Sequence, residues 1–324
     1  VTPIVQQVFP GAMADGFRRF AGRYGLPISH VDVAYVNGYP YAAVRVAGVP
    51  ASDRPPPPSL VLRVVTRVAP ELRRRDRAAR AAMRTRPWRV DLDHWFAELR
   101  PARREALQAI QSVDPTLLTD PDLADHLAVC VDALRSGLRE HFGLVGAAGL
   151  PIGIHLQREA GRGRSVTDAL ADLRGAASSS TAATVPALAA IADALAEAGV
   201  TDPSSLAEIR QASPRAAEAL DAYLDEYGQR VVGAFDVTGK RLIEAPEVVM
   251  RSIAAAAGRP RVATMPVADD VVLEDARLAL ASRDDHSGMC GTWSIGLLRR
   301  ALLAIGERLA ADGRLDDATL AFEA

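Results

Sequence analysis

The sequence is almost without lysine. Lys240 is the only one, although Lys and Arg together number 38. Kinases and P-loop enzymes place a lysine on the phosphates of their nucleotide, and ATP-grasp folds have the same need. The lack of lysine therefore argues against a nucleotide-binding fold in this chain.

Cysteine is scarce as well, the net charge is small, and long apolar runs are absent. The two cysteines, Cys130 and Cys290, cannot form a disulfide framework and suit a reducing compartment. The net charge of −2 argues against a dedicated nucleic-acid binder. No apolar run reaches the roughly 18 residues of a membrane span, and the first twenty residues lack the layout of a signal peptide. These features predict a cytoplasmic protein that binds neither nucleic acid nor a membrane.

A full hydrophobic core is possible, because 49% of the 324 residues are hydrophobic, and the length fits one large or two modest domains. Two β-rich runs, 31–36 and 39–46, flank Asn37-Gly38, which predicts a hairpin because both turn positions adopt positive φ. A stiff polyproline run follows at 55–58. We expect residues 1–60 to form a hairpin-containing segment and residues 61–324 a helical ligand-binding domain.

Helical periodicity dominates after the polyproline run. A capped start at 119–122 leads into apolar residues at three- and four-residue spacing. Glycines at 143–165 and a serine cluster at 178–181 predict two loops. Further helices are predicted near 186–198, 204–211, 214–227, 246–257, 269–282 and 292–311. The expected fold is mainly α: a multi-helix bundle with a small N-terminal β-hairpin appendage.

Three motifs have ordinary explanations that we favour over functional ones. The Arg-rich stretch 70–86 could hold phosphates or an acidic partner, but it suits a solvated helix face because arginine replaces lysine throughout the chain. Residues 161–165 lack the strand and the Gly-Lys-Ser/Thr ending of a phosphate-binding loop. The six histidines show no metal-ligand spacing, so we expect no metal.

The segment 283–293 carries the densest set of reactive side chains. Two glycines, Gly288 and Gly291, interrupt helical periodicity there and predict a kink or short break. Acids, an imidazole, a thiol and an indole gather at this break, which predicts a polar pocket. The candidates are Asp284, Asp285, His286, Cys290 and Trp293. The alternative is an ordinary connection with a buried tryptophan.

A second candidate wall lies where a helix ends at Tyr227 and an extended segment follows. Arg230 and Asp236 suit substrate binding here, but we favour an ion pair between them that locks the corner.

Several motifs are shared with one family. Residues 8–11 (VFPG) precede a hairpin at 36–41, and 227–236 is followed by Glu-Ala-Pro at 244–246. Closing helices carry Arg-containing motifs at 276–277, 283–284, 298–299, 305–309 and 313–315. This arrangement resembles the central domain of rifampicin phosphotransferases and related phosphoenolpyruvate-synthase-like enzymes.

The resemblance implies a division of labour. In that family an ATP-grasp domain takes phosphoryl from ATP, a swivelling histidine domain carries it, and the central helical domain binds the acceptor. This chain resembles only the third, so the resemblance implies an antibiotic or other hydrophobic natural product as ligand. It also implies no cofactor in this chain, with ATP and magnesium on separate partner modules, and no kinase activity of the chain alone.

A second function class stays open, in which the chain alone binds a hydrophobic natural product or modifies it without nucleotide. In either class we expect a cleft between helices, walled by 284–293 and 227–230. His286 and Asp284 are the predicted catalytic residues, because a carboxylate can hold the imidazole in one tautomer as a general base. Asp285, Cys290, Trp293, Tyr227, Arg230 and Asp236 are the predicted substrate-binding residues.

Overall fold

The computed structural model describes residues 1–49, 69–173, 179–257 and 270–323, without the side chains of 179–183 and 284. Helices dominate this part of the chain, and the described strands form one antiparallel hairpin. The expected mainly α fold with a small hairpin is confirmed. The expected boundary at residue 60 and the polyproline run lie outside the described residues.

The chain begins with a helix that the sequence analysis did not assign, α1 (Pro3–Tyr24), which ends at Gly25 with φ of 68°. It leads into β1 (Ile28–Val36) and β2 (Tyr39–Val46). Asn37 and Gly38 have φ of 51° and 78°, and the flanking residues of the two strands pair directly. The predicted hairpin and its turn are confirmed.

Many of the helices that follow start with proline or with a Ser/Thr cap. The first backbone N–H groups of a helix have no intrahelical partner, so a cap can bond them and proline, which has no N–H, is tolerated there. They are α2 (Pro70–Thr85), α3 (Pro87–His94), α4 (Arg100–Ser112), α5 (Asp120–Gly161), α6 (Val166–Ala171), α7 (Ser179–Glu197), α8 (Leu206–Ala212), α9 (Pro214–Tyr227), α10 (Pro246–Ala256), α11 (Val271–Ser287) and α12 (Ser294–Ala311). Wider π turns, Trp95–Leu99 and Gly288–Trp293, join α3 to α4 and α11 to α12. Short 3₁₀ turns occur at Pro115–Leu117, Leu242–Glu244 and Ala318–Phe322.

Helix α5 is the central element, with 42 residues. The loop predicted at 143–165 is wrong over most of its length, because α5 continues to Gly161. Each interior glycine costs about 1 kcal/mol relative to alanine, but tertiary packing offsets this cost. At Gly146 a Cβ would overlap the ring of Phe20, so the glycine lets α1 approach closely. The loop predicted at 178–181 is wrong from Ser179 onward, where α7 begins; Ser178 lies outside the described residues.

Three apolar clusters hold the helices together. The first joins α1, α5 and α12 around Leu134 and Trp293; the second joins α7, α9 and α10 around Ile191 and Leu220; the third surrounds Trp88. Full burial of each such side chain stabilises the fold by about 1.5–3 kcal/mol. Helix α4 packs on the first cluster, and the cleft between it and the second cluster is the candidate site. Among the described helices none is both long enough and apolar enough to cross a membrane.

Candidate functional site

A cavity of about 850 Å³ lies between α4 with its preceding π turn on one side and α7 and α9 on the other. This volume is within the range of small-molecule sites, roughly 300–1,000 Å³. Its lining residues are Phe96, Arg100, Pro101, Arg104, Glu105, Gln108, Ala187, Ala190, Ala219, Ala222, Tyr223, Glu226 and Tyr227. A cleft between helices is therefore present, and one predicted site residue, Tyr227, lines it.

Alanines and aromatic rings form the apolar part of the cavity. Two alanines on α7 and two on α9 leave space where larger side chains would fill the gap between the helices. The rings of Tyr223 and Tyr227 lie beside them, 5.1 Å apart at an angle of 39°. Phe96 faces this wall from the π turn before α4. The apolar part therefore suits a flat, unsaturated ligand body.

Two arginines of α4 supply charge to the opposite side. Arg100 Nε lies 3.0 Å from Oδ2 of Asp285, which is fully buried. Arg104 forms an ion pair of 2.6 Å with Glu226 at the exposed rim. Asp285, a predicted substrate-binding residue, therefore reaches the cavity through Arg100 rather than directly.

Arg230 lies directly behind the cavity wall. Its guanidinium carbon is 4.6 Å from the centre of the Tyr227 ring and 5.4 Å from that of Trp293. Burial lowers the pKa of Arg230, and the closest carboxylate paired with it is Glu226 at 3.8 Å. Arg230 therefore supports Tyr227 from beneath, because a cation attracts the electron-rich ring face.

The favoured ion pair between Arg230 and Asp236 is wrong for the described structure. Asp236 is buried and instead accepts hydrogen bonds from the amide and hydroxyl of Thr2, at 2.8 and 2.7 Å. The chain reversal after Tyr227 sends the two side chains to different neighbours.

The predicted break at 283–293 is a π turn, so the helical path widens but does not stop. The segment after Tyr227 packs against it: the amide of Val231 donates to the carbonyl of Thr292 at 3.1 Å. A Cβ at Gly291 would overlap the ring of Phe235, so a larger residue here would have to displace that exposed ring. The structure thus brings the two predicted walls together, and π turns are frequent at functional sites.

His286 is buried within this junction. Its Nδ1 is 2.9 Å from Nδ1 of His141, and the edge of its ring meets Trp95, with ring centres 5.7 Å apart. Burial, aided by His141 and Arg283, lowers the pKa of His286 to about 3, so the imidazole is neutral at pH 7. His286 is not among the cavity-lining residues, and its catalytic role stays a prediction.

The remaining predicted residues lie inside the fold, apart from Asp284, whose side chain lies outside the described structure. Cys290 is buried, and burial raises its pKa to about 12, which keeps it a thiol at neutral pH. Trp293 is buried and donates from Nε1 to Gln111 at 2.9 Å. Over the described ranges no group of three or more His, Cys, Asp or Glu could hold a metal ion.

The sequence analysis missed the α4 wall entirely. Arg100, Arg104 and Gln108 recur every four residues and so share one helix face, which is a visible signal. Nothing in the sequence alone identifies which helices this face meets.

A comparison with family models assigns part of the chain. The model described as the rifampicin phosphotransferase fourth domain matches residues 143–278. The match supports a domain of that family over these residues. The family resemblance inferred from the sequence motifs is thus confirmed over residues 143–278, while the motifs at 8–11, 36–41 and 283–315 lie outside the match. No curated protein and no solved structure matches the chain significantly.

The matched residues include the α7 and α9 wall of the cavity. The α4 wall, with Arg100 and Arg104, lies outside the matched residues. The cavity is therefore built jointly by this domain and by the chain that precedes it.

Proposed function

We propose that this chain binds the acceptor molecule in a rifampicin phosphotransferase-like enzyme, and that the cavity between α4, α7 and α9 is the acceptor site. The observation that carries the proposal is the family match, which covers the α7 and α9 wall. The acceptor is a hydrophobic natural product or antibiotic.

The lining of the cavity supports an acceptor of this kind. Alanines and aromatic rings offer apolar contact on one side, and the charged and amide groups of α4 can orient the ligand from the other, a combination that small-molecule sites use. Separate ATP-grasp and phosphohistidine modules supply the phosphoryl group, with ATP and magnesium bound there. The resemblance and the single lysine support this assignment.

Catalysis on the acceptor hydroxyl needs a group that can take up its proton. His286 and Asp284 remain our proposed residues for this role. His286 is neutral at pH 7, as a general base must be, but a pKa of about 3 makes it a weak base, so this role requires that binding of the acceptor or of the partner modules raises its pKa. Its burial requires that the acceptor or the partner modules open a path to the imidazole.

The binding proposal is tested by titrating the purified chain with rifampicin and other polyketides in a calorimeter. Ala190→Trp places an indole in the cavity, while Ala196→Trp alters an exposed alanine on the same helix as a matched control. We expect Ala190→Trp to weaken binding at least tenfold and Ala196→Trp to leave it unchanged, with both variants folded.

Equal binding by the two variants, or no binding of any polyketide to the wild type, would contradict the proposal. Chemical change of a bound ligand by the isolated chain without nucleotide would instead favour the alternative, a stand-alone protein that binds or modifies natural products.

A further inference from the structure

We infer that the acceptor carries one oxyanion, such as a carboxylate or a phenolate, and that the guanidinium of Arg100 receives it. This inference rests on the proposed function, because it assigns a ligand chemistry to the same cavity.

The first observation is the way in which Arg100 is held. Its Nε pairs with the fully buried Asp285, and its side chain is 28% exposed where it lines the cavity. It makes no other hydrogen bond or ion pair with the part of the chain that the structure describes. The two terminal nitrogens are thus available to the cavity, while Nε lies 3.0 Å from the buried carboxylate. Such a fork binds an oxyanion through two parallel hydrogen bonds.

The second observation is how the other charged groups at this end of the cavity are paired. Arg104 forms an ion pair of 2.6 Å with Glu226, so its charge is already compensated. Glu105 lines the cavity as well, so the lining as a whole carries no excess of positive charge. Of the two lining arginines, Arg100 is the one whose terminal nitrogens have no carboxylate partner in the described residues.

The third observation is the position of the apolar wall. The alanines of α7 and α9 and the ring of Tyr223 line the same cavity as the arginine fork. A ligand with a flat aromatic body and an oxyanion at one end fits this arrangement.

The test uses two fluorescent probes with the same aromatic body. 8-Anilinonaphthalene-1-sulfonate carries one negative charge, and N-phenyl-1-naphthylamine is its neutral counterpart. Arg100→Gln alone would leave Asp285 buried without this partner, so the main variant is Arg100→Gln/Asp285→Asn. The control is Arg135→Gln/Asp132→Asn, which removes an exposed Arg–Asp pair on α5. Thermal melting establishes that each variant is folded.

We expect the wild type to bind the sulfonate probe at least tenfold more tightly than the neutral probe. The Arg100→Gln/Asp285→Asn variant should lose this advantage, with the affinity of the neutral probe changed less than twofold and the control unaffected. An unchanged advantage, or equal weakening of both probes, would overturn the inference.

The same titrations separate this inference from the proposed function. If Ala190→Trp blocks both probes but the wild type shows no preference for the sulfonate, the cavity binds ligands and only the oxyanion is wrong. If Ala190→Trp blocks neither probe, the cavity is not the binding site and both proposals fail.

Discussion

Lowering the pH from 7.5 to 5 should destabilise the fold through His286. Burial holds the pKa of His286 at about 3 in the folded protein, against about 6.5 for an ordinary histidine. Between these two values the unfolded chain binds a proton that the folded chain does not. The free energy of unfolding therefore falls as the pH falls through this window, and it is fully retained above pH 6.5.

The magnitude follows from the difference in pKa. Each pH unit below 6.5 costs about 1.4 kcal/mol, so the loss at pH 5 is about 2 kcal/mol and approaches 5 kcal/mol near pH 3. Burial also lowers the pKa of His141, whose Nδ1 shares the hydrogen bond. The pair therefore titrates as one coupled system, and His141 adds to the loss with the same sign.

Urea unfolding at pH 7.5, 6.5, 5.5 and 5.0 measures this effect. Aspartate and glutamate titrate mainly below this range, which isolates the histidines. His286→Gln removes the titrating ring and should lower the pH dependence by about 2 kcal/mol. His94→Gln alters a half-exposed histidine and should keep the wild-type dependence. A wild type whose stability is flat from pH 7.5 to 5, or a His286→Gln variant with an unchanged slope, would refute the reasoning.

Three further predictions concern packing, ion pairing and chemistry. Gly296→Ala should destabilise the fold by about 1–3 kcal/mol in chemical unfolding, because the added Cβ would overlap the backbone oxygen of Gln229, whereas Gly153→Ala, where a Cβ meets nothing within 4 Å, should cause no loss. Asp275→Ala should cost about 1.5–3 kcal/mol, since Arg86 and the buried Trp88 both donate to this buried carboxylate; a loss below 1 kcal/mol would count against the burial argument. Incubation of the pure chain with ATP and magnesium should give neither AMP nor a phosphohistidine by chromatography and mass spectrometry, and either product would contradict the proposed division of labour.

Local signals predicted the hairpin and most helix positions, because they depend on neighbouring residues. Asn37-Gly38 fixes a tight turn through its own backbone preferences. Gly146 differs from Gly38, because its place inside a helix depends on the close approach of α1. No local sequence signal reports that contact. Glycine therefore predicted a turn correctly in one place and a loop wrongly in the other.

The candidate site was predicted in part for the same reason. The two predicted walls do meet, and Tyr227 lines the cavity. Arg100, however, is paired with Asp285, which lies far away in the sequence, so no local pattern links the two residues. The side chains of His286 and Cys290 are buried, and residue types at a break in periodicity do not indicate which side of the helix faces solvent.

The π turn at Gly288–Trp293 sets the angular relation between α11 and α12. A π turn takes in one more residue than an α-helical turn, and one residue corresponds to about 100° of rotation. The apolar stripe of α12 is therefore out of phase with that of α11. Removing Met289 would let the turn close as an α-helix and rotate α12 by about 100°. Leu298 would then leave the core, and Arg299 would leave its carboxylate partner Glu244. A single-residue deletion at this turn would thus act on every contact of the following helix.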